Sequence, residues 1–332
     1  MTTNRATALR IFGTGASFRS ELQTIDIADP THGQVLVKVE YSSVNYKDAL
    51  AGTGKMPIIR TYPLTGGIDL SGTIIKSKDD RFSEGDLVLV TGCGLSENKN
   101  GGYSTLQLLS GDDVVLLPKN LSTKEAMILG TAGFTAALSL FRMEMNGLQP
   151  SDGPVLITGA TGGVGSLAVN MYSKAGYQVS ALSRKTHEFK WLKDIGASQC
   201  IDGESYVWGF NPMESTVWAA ALDNLGGAVL AGILREVKPW GHVALCGMAA
   251  GTDFESSVMP FIIRGVSLIG INSSGCAMQT RQLLWDKLAE SWKPEKIKEI
   301  HRHTCTLETL DEAFERLMSG GALGRTVVQI NC

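Results

Sequence analysis

The polar and apolar positions of this chain change rhythm twice. In "GQVLVKVEYSSVN" apolar residues fall at alternate positions, the period of a strand with one buried face. "SGTIIKS" and "EGDLVLVTG" are short β-branched runs bounded by Gly, Asp and Ser, and read as further strands. The start, "MTTNRATALRIFGTG", reads as the first strand. Spacing of strands and turns over the first 125 residues predicts a small barrel or sandwich. Helical signals gather at "STKEAMILGTAGFTAALSLFRMEM", where Ser122 and Glu125 form a capping-box pattern.

The middle of the chain alternates. "PVLITG", "YQVSALS", "SQCID", "WAAALD", "HVALCG" and "SLIGIN" are short apolar strands. Between several of them lie the helical patterns "GGVGSLAVNMYSKAG", "HEFKWLKDIG" and "AVLAGILREVKPWG". Gly176 and Gly196 are placed as C-terminal caps of the first two. Repeated strand-helix alternation predicts right-handed βαβ units and a parallel, doubly wound sheet. "ESYVWGFNPMEST" reads as an irregular surface excursion. After about residue 275 come two amphipathic helices, "TRQLLWDKLAESW" and "LETLDEAFERLMSG", and a closing strand, "RTVVQI". The expected organisation is α/β. A β-rich domain from residues 1–125 and 275–332 carries an inserted Rossmann domain at 126–274, with a cleft between them.

Composition narrows the function. The 332 residues are 43% apolar and 19% charged, ordinary for a globular chain. A net charge of −3 gives no footprint for nucleic acid. No uninterrupted apolar run has the length of a membrane span, and the N-terminus lacks a secretion signal, so a cytoplasmic protein is expected. The cysteines at 93, 200, 246, 276, 305 and 332 form no CxxC pair and read as free thiols. The histidines at 32, 187, 242, 301 and 303 offer no helical pair of metal ligands.

"GATGGVG", residues 159–165, follows a strand and opens a helix, the setting that a dinucleotide turn requires. The usual G-x-G-x-x-G is not matched letter for letter, since Ala160 stands at its first Gly. Small residues are the physical demand, so that main-chain N–H groups can approach a pyrophosphate. Thr161, Gly162, Gly163 and Val164 are the candidates, and Gly165 permits close helix-strand packing. About 20 residues on, an acidic side chain would read a free ribose 2′-hydroxyl. Here stand Ser183, Arg184 and Lys185, a hydroxyl and two cations suited to a 2′-phosphate. The pattern points to NADPH.

Several blocks together, "SSVNYKDALAGTGK", "PLTGGIDLSG", "GDLVLVTG", "GTAGFTAAL", "GATGGVGS" and "VMPFIIRGVSLIGINS", resemble the medium-chain dehydrogenase/reductase superfamily. More closely they resemble its zinc-free acrylyl-CoA reductase branch, over about residues 5–330. The resemblance implies a GroES-like β-rich catalytic domain, an inserted Rossmann domain and a homodimer through an edge strand near "SLIGIN". Zinc members carry a Cys ligand where this chain has Asn45, and Gly-His-Glu where it has Gly67, Ile68 and Asp69. Isoleucine cannot ligate and an amide is a poor zinc ligand, so no metal is expected. The resemblance also places Met248, Ile262 and Ser273 along the nicotinamide half of the cofactor. Arg325 would lie near the cofactor or the cleft mouth, and Lys55 and Arg264 are candidates for CoA phosphates. Two departures from the branch, Asn100 and Asn224, bear on the acyl group.

Without a metal to stabilise an alkoxide, alcohol oxidation is disfavoured. Reduction of an activated C=C bond asks for less: hydride to the β-carbon, hydrogen-bond donors for the enolate oxygen, and a proton at the α-carbon. The catalytic candidates lie in "YSSVNYKD". On the turn that the resemblance sets facing the cofactor, Tyr41 would line the cofactor site, Asn45 would donate to the ribose or the substrate, Tyr46 would be the donor or proton source, and Asp48 would cap the turn. The leading expectation is an NADPH-dependent reductase of a small α,β-unsaturated acyl-CoA, acrylyl-CoA to propionyl-CoA. The alternatives are a quinone or enone reductase and a non-catalytic NADPH-binding protein.

Overall fold

The computed structural model describes residues 4–330, so Cys332 and the outermost ends of the expected domains lie outside the described residues. The chain divides into two compact units, one of Met1–Thr131, Ser273–Ala289 and His301–Cys332, the other of Ala132–Asn272 and Glu290–Ile300. The C-terminal region is thus not one piece, because residues 290–300 group with the second unit.

In the first unit the strands are β1 (Asn4–Ile11), β2 (Ser20–Ile27), β3 (Gln34–Ser43), β4 (Leu64–Thr65), β5 (Asp69–Ser77), β6 (Leu87–Thr91), β7 (Leu106–Ser110) and β8 (Val115–Leu116). Helix α1 (Tyr46–Gly52) follows β3, and α2 (Thr123–Met145) leads out of the unit. Strand β3 is the centre of this unit, pairing antiparallel with β5 and β7. Its alternation serves two cores. Val35, Val37 and Val39 enter the main core with Leu70, Ile74, Val88 and Val90. Leu36, on the opposite face, packs with Ala6 and Ile27. The valine face is buried throughout while Lys38 on the other face is exposed, so a one-residue slip would carry the valines out of the main core. Each such side chain contributes about 1.5–3 kcal/mol on burial.

Helix α2 has the length and composition to cross a membrane, but 83% of its most apolar window is buried inside the protein. The Ser122–Glu125 box forms, with Glu125 N donating to Ser122 Oγ at 3.2 Å and Ser122 N to Glu125 Oε2 at 3.0 Å. Gly130 breaks α2 at φ 51°, ψ −156°.

The second unit holds β9 (Val155–Thr158), α3 (Gly163–Lys174), β10 (Val179–Ser183), α4 (Phe189–Asp194), β11 (Gln199–Asp202), β12 (Trp218–Asp223), α5 (Gly227–Glu236), β13 (Val237–Leu245), α6 (Met259–Arg264) and β14 (Ser267–Gly270). All six strands run parallel in the order β11-β10-β9-β12-β13-β14. The order reverses between β9 and β12, the switch point at which doubly wound sheets bind ligands, beyond the strands' C-terminal ends. Every residue of β9 and β12 is buried, as a sheet covered on both faces requires. Gly176 and Gly196 follow α3 and α4 at φ 91° and 123°. The irregular stretch after β11 packs Tyr206 and Trp208 together, with Tyr206 also against Trp218.

The chain then adds α7 (Met278–Ala289) and β15 (His301–Cys305) to the first unit, with the short α8 (Ile297–Ile300) left in the second. It ends with α9 (Leu310–Met318) and β16 (Arg325–Gln329), which join the first unit; β16 lies between β15 and β3. Arg281 of α7 is fully buried. Its Nη1 donates to the Thr91 carbonyl at 2.7 Å, and its Nη2 donates to those of Ser273 and Ser274 at 2.8 and 3.2 Å. Phe314 of α9 lies so close to Gly52 that a Cβ there would stand 2.3 Å from the ring.

Candidate functional site

Two groups of predicted residues are placed by the fold, one in each unit. In the first unit, β3 ends at Ser43 and α1 begins at Tyr46, which puts Asn45 at the helix N-cap in extended backbone. Strand β5 starts with Asp69 next to β3, and Gly67 precedes it at φ 93°. A Cβ on Gly67 would lie 2.8 Å from Tyr103, so glycine lets that ring pack against the turn. The Tyr103 hydroxyl then donates to the Ser43 carbonyl at 3.0 Å.

These elements enclose a polar cluster. Asn45 Nδ2 lies 3.0 Å from Asp48 Oδ2, 2.9 Å from Asp69 Oδ2 and 3.1 Å from Ser43 Oγ. Its Oδ1 accepts from Arg325 Nη1 at 3.2 Å. Asp48 also accepts from Asn45 N at 2.9 Å and Ile68 N at 2.8 Å. Asp69 accepts from Ser43 Oγ at 2.5 Å and from the N–H and hydroxyl of Thr131, where α2 resumes after Gly130. Burial, with the Asp69 carboxylate beside it, pushes Asp48 up to about 7. Burial lowers Arg325, while Asp69 and Asp48 oppose that shift. A Cβ on Gly130 would come within 2.6 Å of Asp69 Oδ2 and 3.0 Å of Arg325 Nη2, so this kink needs glycine.

The cluster corrects two expectations. Asn45 was expected to donate to a ribose or substrate, but three acceptors already surround its two amide hydrogens. It acts as a cross-link between carboxylates. Arg325 was expected near the cofactor or a cleft mouth, but it is 2% exposed, with Nε on the Ile128 carbonyl and Nη1 on Val44 O and Asn45 Oδ1. Its Nη2 alone lacks a hydrogen-bond partner. Asp48 does cap the turn, by accepting the N-cap N–H. Tyr41 is half-buried in β3, Tyr46 is 42% exposed at the start of α1, and Lys55 is exposed beyond its end. Sequence reasoning did not find Ser43, Tyr103 or Thr131. The one signal for Tyr103 was the pair of glycines at Gly66 and Gly67, which leaves room for a large ring.

The donor set does not suit zinc. Ile68 is buried and Asn45 is committed to hydrogen bonds. Among the described residues no three His, Cys, Asp or Glu side chains are grouped to hold a metal.

In the second unit the turn 159–165 joins β9 to α3 at the switch point. Gly159 sits at φ 56°, and Gly162 is the N-cap of α3 with no side-chain hydrogen bond to the helix. A Cβ on Gly165 would stand 2.4 Å from the Gly159 carbonyl oxygen, whereas one on Gly162 meets only that oxygen, at 3.2 Å. The first turn of α3 therefore presents main-chain N–H groups with no side chain in front of them, a cradle fit for a pyrophosphate. Thr161 Oγ1 and Ser183 Oγ are 3.1 Å apart, which joins the turn to the end of β10. Ser183 Oγ also accepts from Lys185 N at 3.1 Å, and Arg184 beside it is exposed.

The remaining candidates belong to both units. Met248 is 44% exposed on the loop after β13 and Ile262 75% exposed on α6, both in the second unit; Ser273 belongs to the first. Arg264 donates to the carbonyls of Glu214, Arg235 and Val237, which makes it a structural clasp rather than a cation open to CoA. Asn224 donates to the Thr158 carbonyl at 2.7 Å, and Asn100 Oδ1 accepts from Arg10 and Thr65 N.

Family models match on both sides of the chain. The alcohol dehydrogenase GroES-like domain covers residues 31–136, and the zinc-binding dehydrogenase model covers residues 163–290. YhfP of Bacillus subtilis, whose name assigns it provisionally to the quinone oxidoreductases, is 43% identical over 93% of this chain and 94% of its own. The chain belongs to the medium-chain dehydrogenase/reductase superfamily. Within this superfamily it groups with relatives named both acrylyl-CoA reductase and quinone oxidoreductase. Acrylyl-CoA reductase AcuI of Ruegeria pomeroyi is 38% identical over 94% of this chain and 95% of its own. The yhdH oxidoreductase of Salmonella enterica, solved with NADP, has 39% identity and a TM-score of 0.93 over 98% of this chain and all of that one. YhfP, solved with NAD bound, also gives a TM-score of 0.93, over 98% of this chain and 99% of its own. The two-domain medium-chain oxidoreductase fold, GroES-like plus Rossmann, is that of this chain. One matching model is named for zinc, whereas Ile68 carries no donor atom and the Asn45 amide is held in hydrogen bonds.

Proposed function

We propose that this chain is an NADPH-dependent reductase of the C=C bond of a small α,β-unsaturated acyl-CoA, acrylyl-CoA first. The observation that carries the reading is the joined glycine turn and β10 end. Thr161 and Ser183 share a hydrogen bond, with Arg184 exposed beside them and no carboxylate before Glu188. A 2′-phosphate suits that corner, and a free 2′-hydroxyl is not matched by an acid there. The acyl-CoA part rests on the similarity to AcuI.

When bound, NADPH supplies a hydride to the β-carbon of the enoyl thioester. The chain's part is to hold and orient. Main-chain N–H groups of Gly163 and Val164 take the pyrophosphate, and Arg184 and Lys185 the 2′-phosphate. Tyr46, whose ring is exposed, is assigned as the donor to the thioester oxygen, a role that Asn45 cannot fill. Tyr41 lines the cofactor site. Lys55 is left as the CoA cation, since Arg264 is engaged. Met248, Ile262 and Ser273 remain candidates for the nicotinamide half.

The quinone reading is favoured by the name of YhfP. A rate panel separates the two readings. NADPH oxidation is followed with acrylyl-CoA, crotonyl-CoA, a benzoquinone and methyl vinyl ketone. The expected result is the highest kcat/KM on acrylyl-CoA, and equal or better turnover of the quinone overturns it. Silence across the whole panel would favour a non-catalytic NADPH-binding role.

We also propose a homodimer through β14, which has a partner on one side only, with Val258, Ile262 and Ile263 exposed nearby on and before α6. Light scattering should give twice the chain mass. A monomer at micromolar concentration would exclude it.

A further inference from the structure

Three loops leave the C-terminal ends of β9, β12 and β13, and one buried carboxylate ties them together. Asp223, at the end of β12, is fully buried. Its Oδ1 accepts from the Thr158 hydroxyl at 2.6 Å, at the end of β9, and from Leu225 N at 3.1 Å. Its Oδ2 accepts from Gly226 N at 2.8 Å, and its carbonyl accepts from Cys246 N at 3.0 Å, just past β13. The next residue closes the set: Asn224 N donates to Thr158 Oγ1 at 2.9 Å and Asn224 Nδ2 to the Thr158 carbonyl at 2.7 Å. The backbone is close-packed around this pair. A Cβ on Gly247 would stand 2.2 Å from the Asn224 carbonyl oxygen, and one on Gly159 would stand 3.4 Å from Asn224 Cβ. Leu225 O in turn accepts from Ala250 N at 2.7 Å, so the lashing continues into the loop that carries Met248.

We infer that Asp223 is a positioning residue for the dinucleotide. It acts through the loops that it ties together. It fixes the strand-end loops at the switch point, and so fixes the glycine turn that receives the pyrophosphate. The physical ground is that a carboxylate accepting from a hydroxyl and two main-chain N–H groups in a buried site has no equal replacement. An Asn there presents an N–H to at least one of those donors. The inference rests on the dinucleotide reading above and adds to it the residue that sets the crevice.

Glu236 provides the control. It is also buried, and its Oε2 accepts from Tyr206 and from Trp218 Nε1 at 2.8 and 3.0 Å. It lies at the other end of the sheet, where β12 starts and α5 ends. Asp223→Asn, Thr158→Val and Glu236→Gln are compared with wild type by thermal unfolding, by NADPH titration of the free enzyme, and by kcat and KM on the best substrate of the panel. Asp223→Asn is expected to raise the NADPH Kd about tenfold or more. Its kcat at saturating NADPH should stay within about threefold of wild type. Thr158→Val should weaken binding to a lesser degree, and it carries the test if Asp223→Asn does not fold. Glu236→Gln should lower Tm with NADPH affinity unchanged. Unchanged NADPH affinity in the folded Asp223 variant, or an equal loss in Glu236→Gln at equal Tm, overturns the inference alone. A wild-type chain that does not bind NADPH overturns the dinucleotide reading and this inference with it.

Discussion

Asn45 and Asp69, 24 residues apart in the chain, meet at 2.9 Å, with the amide nitrogen of one donating to the carboxylate of the other. The same nitrogen reaches Asp48, so one amide holds two carboxylates in a site shared with a single buried arginine. Asn45→Ala should leave both carboxylates and Arg325 Nη1 short of a partner. The expected cost is about 1–3 kcal/mol, read as a lower urea midpoint and Tm. A variant as stable as wild type would mean that the cluster reorganises around water.

Asp48 gives a pH signature. Its carboxyl is pushed up to about 7 in the fold, against about 3.9 in an unfolded chain. Between these values the folded chain keeps a proton that the unfolded chain has released. Asp48 therefore favours folding in acid, and its contribution is lost as pH rises from about 4 to about 7. The groups around it are Asp69, Arg325 and Tyr103. Asp48→Asn removes this titration, so the stability difference between wild type and variant should fall across that window. Urea midpoints at several pH values check it, and a flat difference refutes it.

The glycine turn makes a paired prediction. Gly165→Ala drives a Cβ to 2.4 Å from main-chain oxygen and 2.7 Å from Ala160 Cα, and neither atom can move without opening the turn. Loss of soluble protein, or of NADPH binding, is expected. Gly162→Ala meets only one oxygen at 3.2 Å and should fold, with a methyl group in the phosphate cradle and weaker NADPH binding. Tight binding by the Gly165 variant would contradict the geometry.

Arg184→Ala tests the choice of nicotinamide cofactor. It should raise KM for NADPH about tenfold and leave KM for NADH little changed, because only the 2′-phosphate loses a partner. The NAD found on YhfP makes this comparison pointed. Equal changes for both cofactors would remove Arg184 from the 2′-phosphate.

Tyr46→Phe should lower kcat on the enoyl thioester while leaving Tm in place, since the ring is 42% exposed and the hydroxyl is the only atom removed. Unaltered turnover would leave Tyr46 without a role as donor.

The alternation of strands and helices from residue 155 onward was legible because parallel strands are short, apolar and separated by helices with glycine caps. The turn at 159–165 was legible because its neighbours in sequence are its neighbours in space. The first unit's cluster was not. Asp48, Asp69, Thr131 and Arg325 come from four separate stretches, and no local pattern says that they share one buried site. The resemblance implied contact of Asn45 and Arg325 with ligands, whereas both are buried and Asn45 Oδ1 accepts from Arg325. Arg264 misled for the same reason, since a cation in sequence says nothing of the three carbonyls that occupy it.

Arg281 holds the turn at 273–276 by main-chain oxygens of Ser273 and Ser274, while its Nη1 holds Thr91 through both carbonyl and hydroxyl. Such a grip on the turn is blind to the alphabet. The letters at Ser273 and Cys276 are open to substitution while the path of the chain stays put. A lineage can then retune the chemistry that this turn displays without renegotiating its architecture.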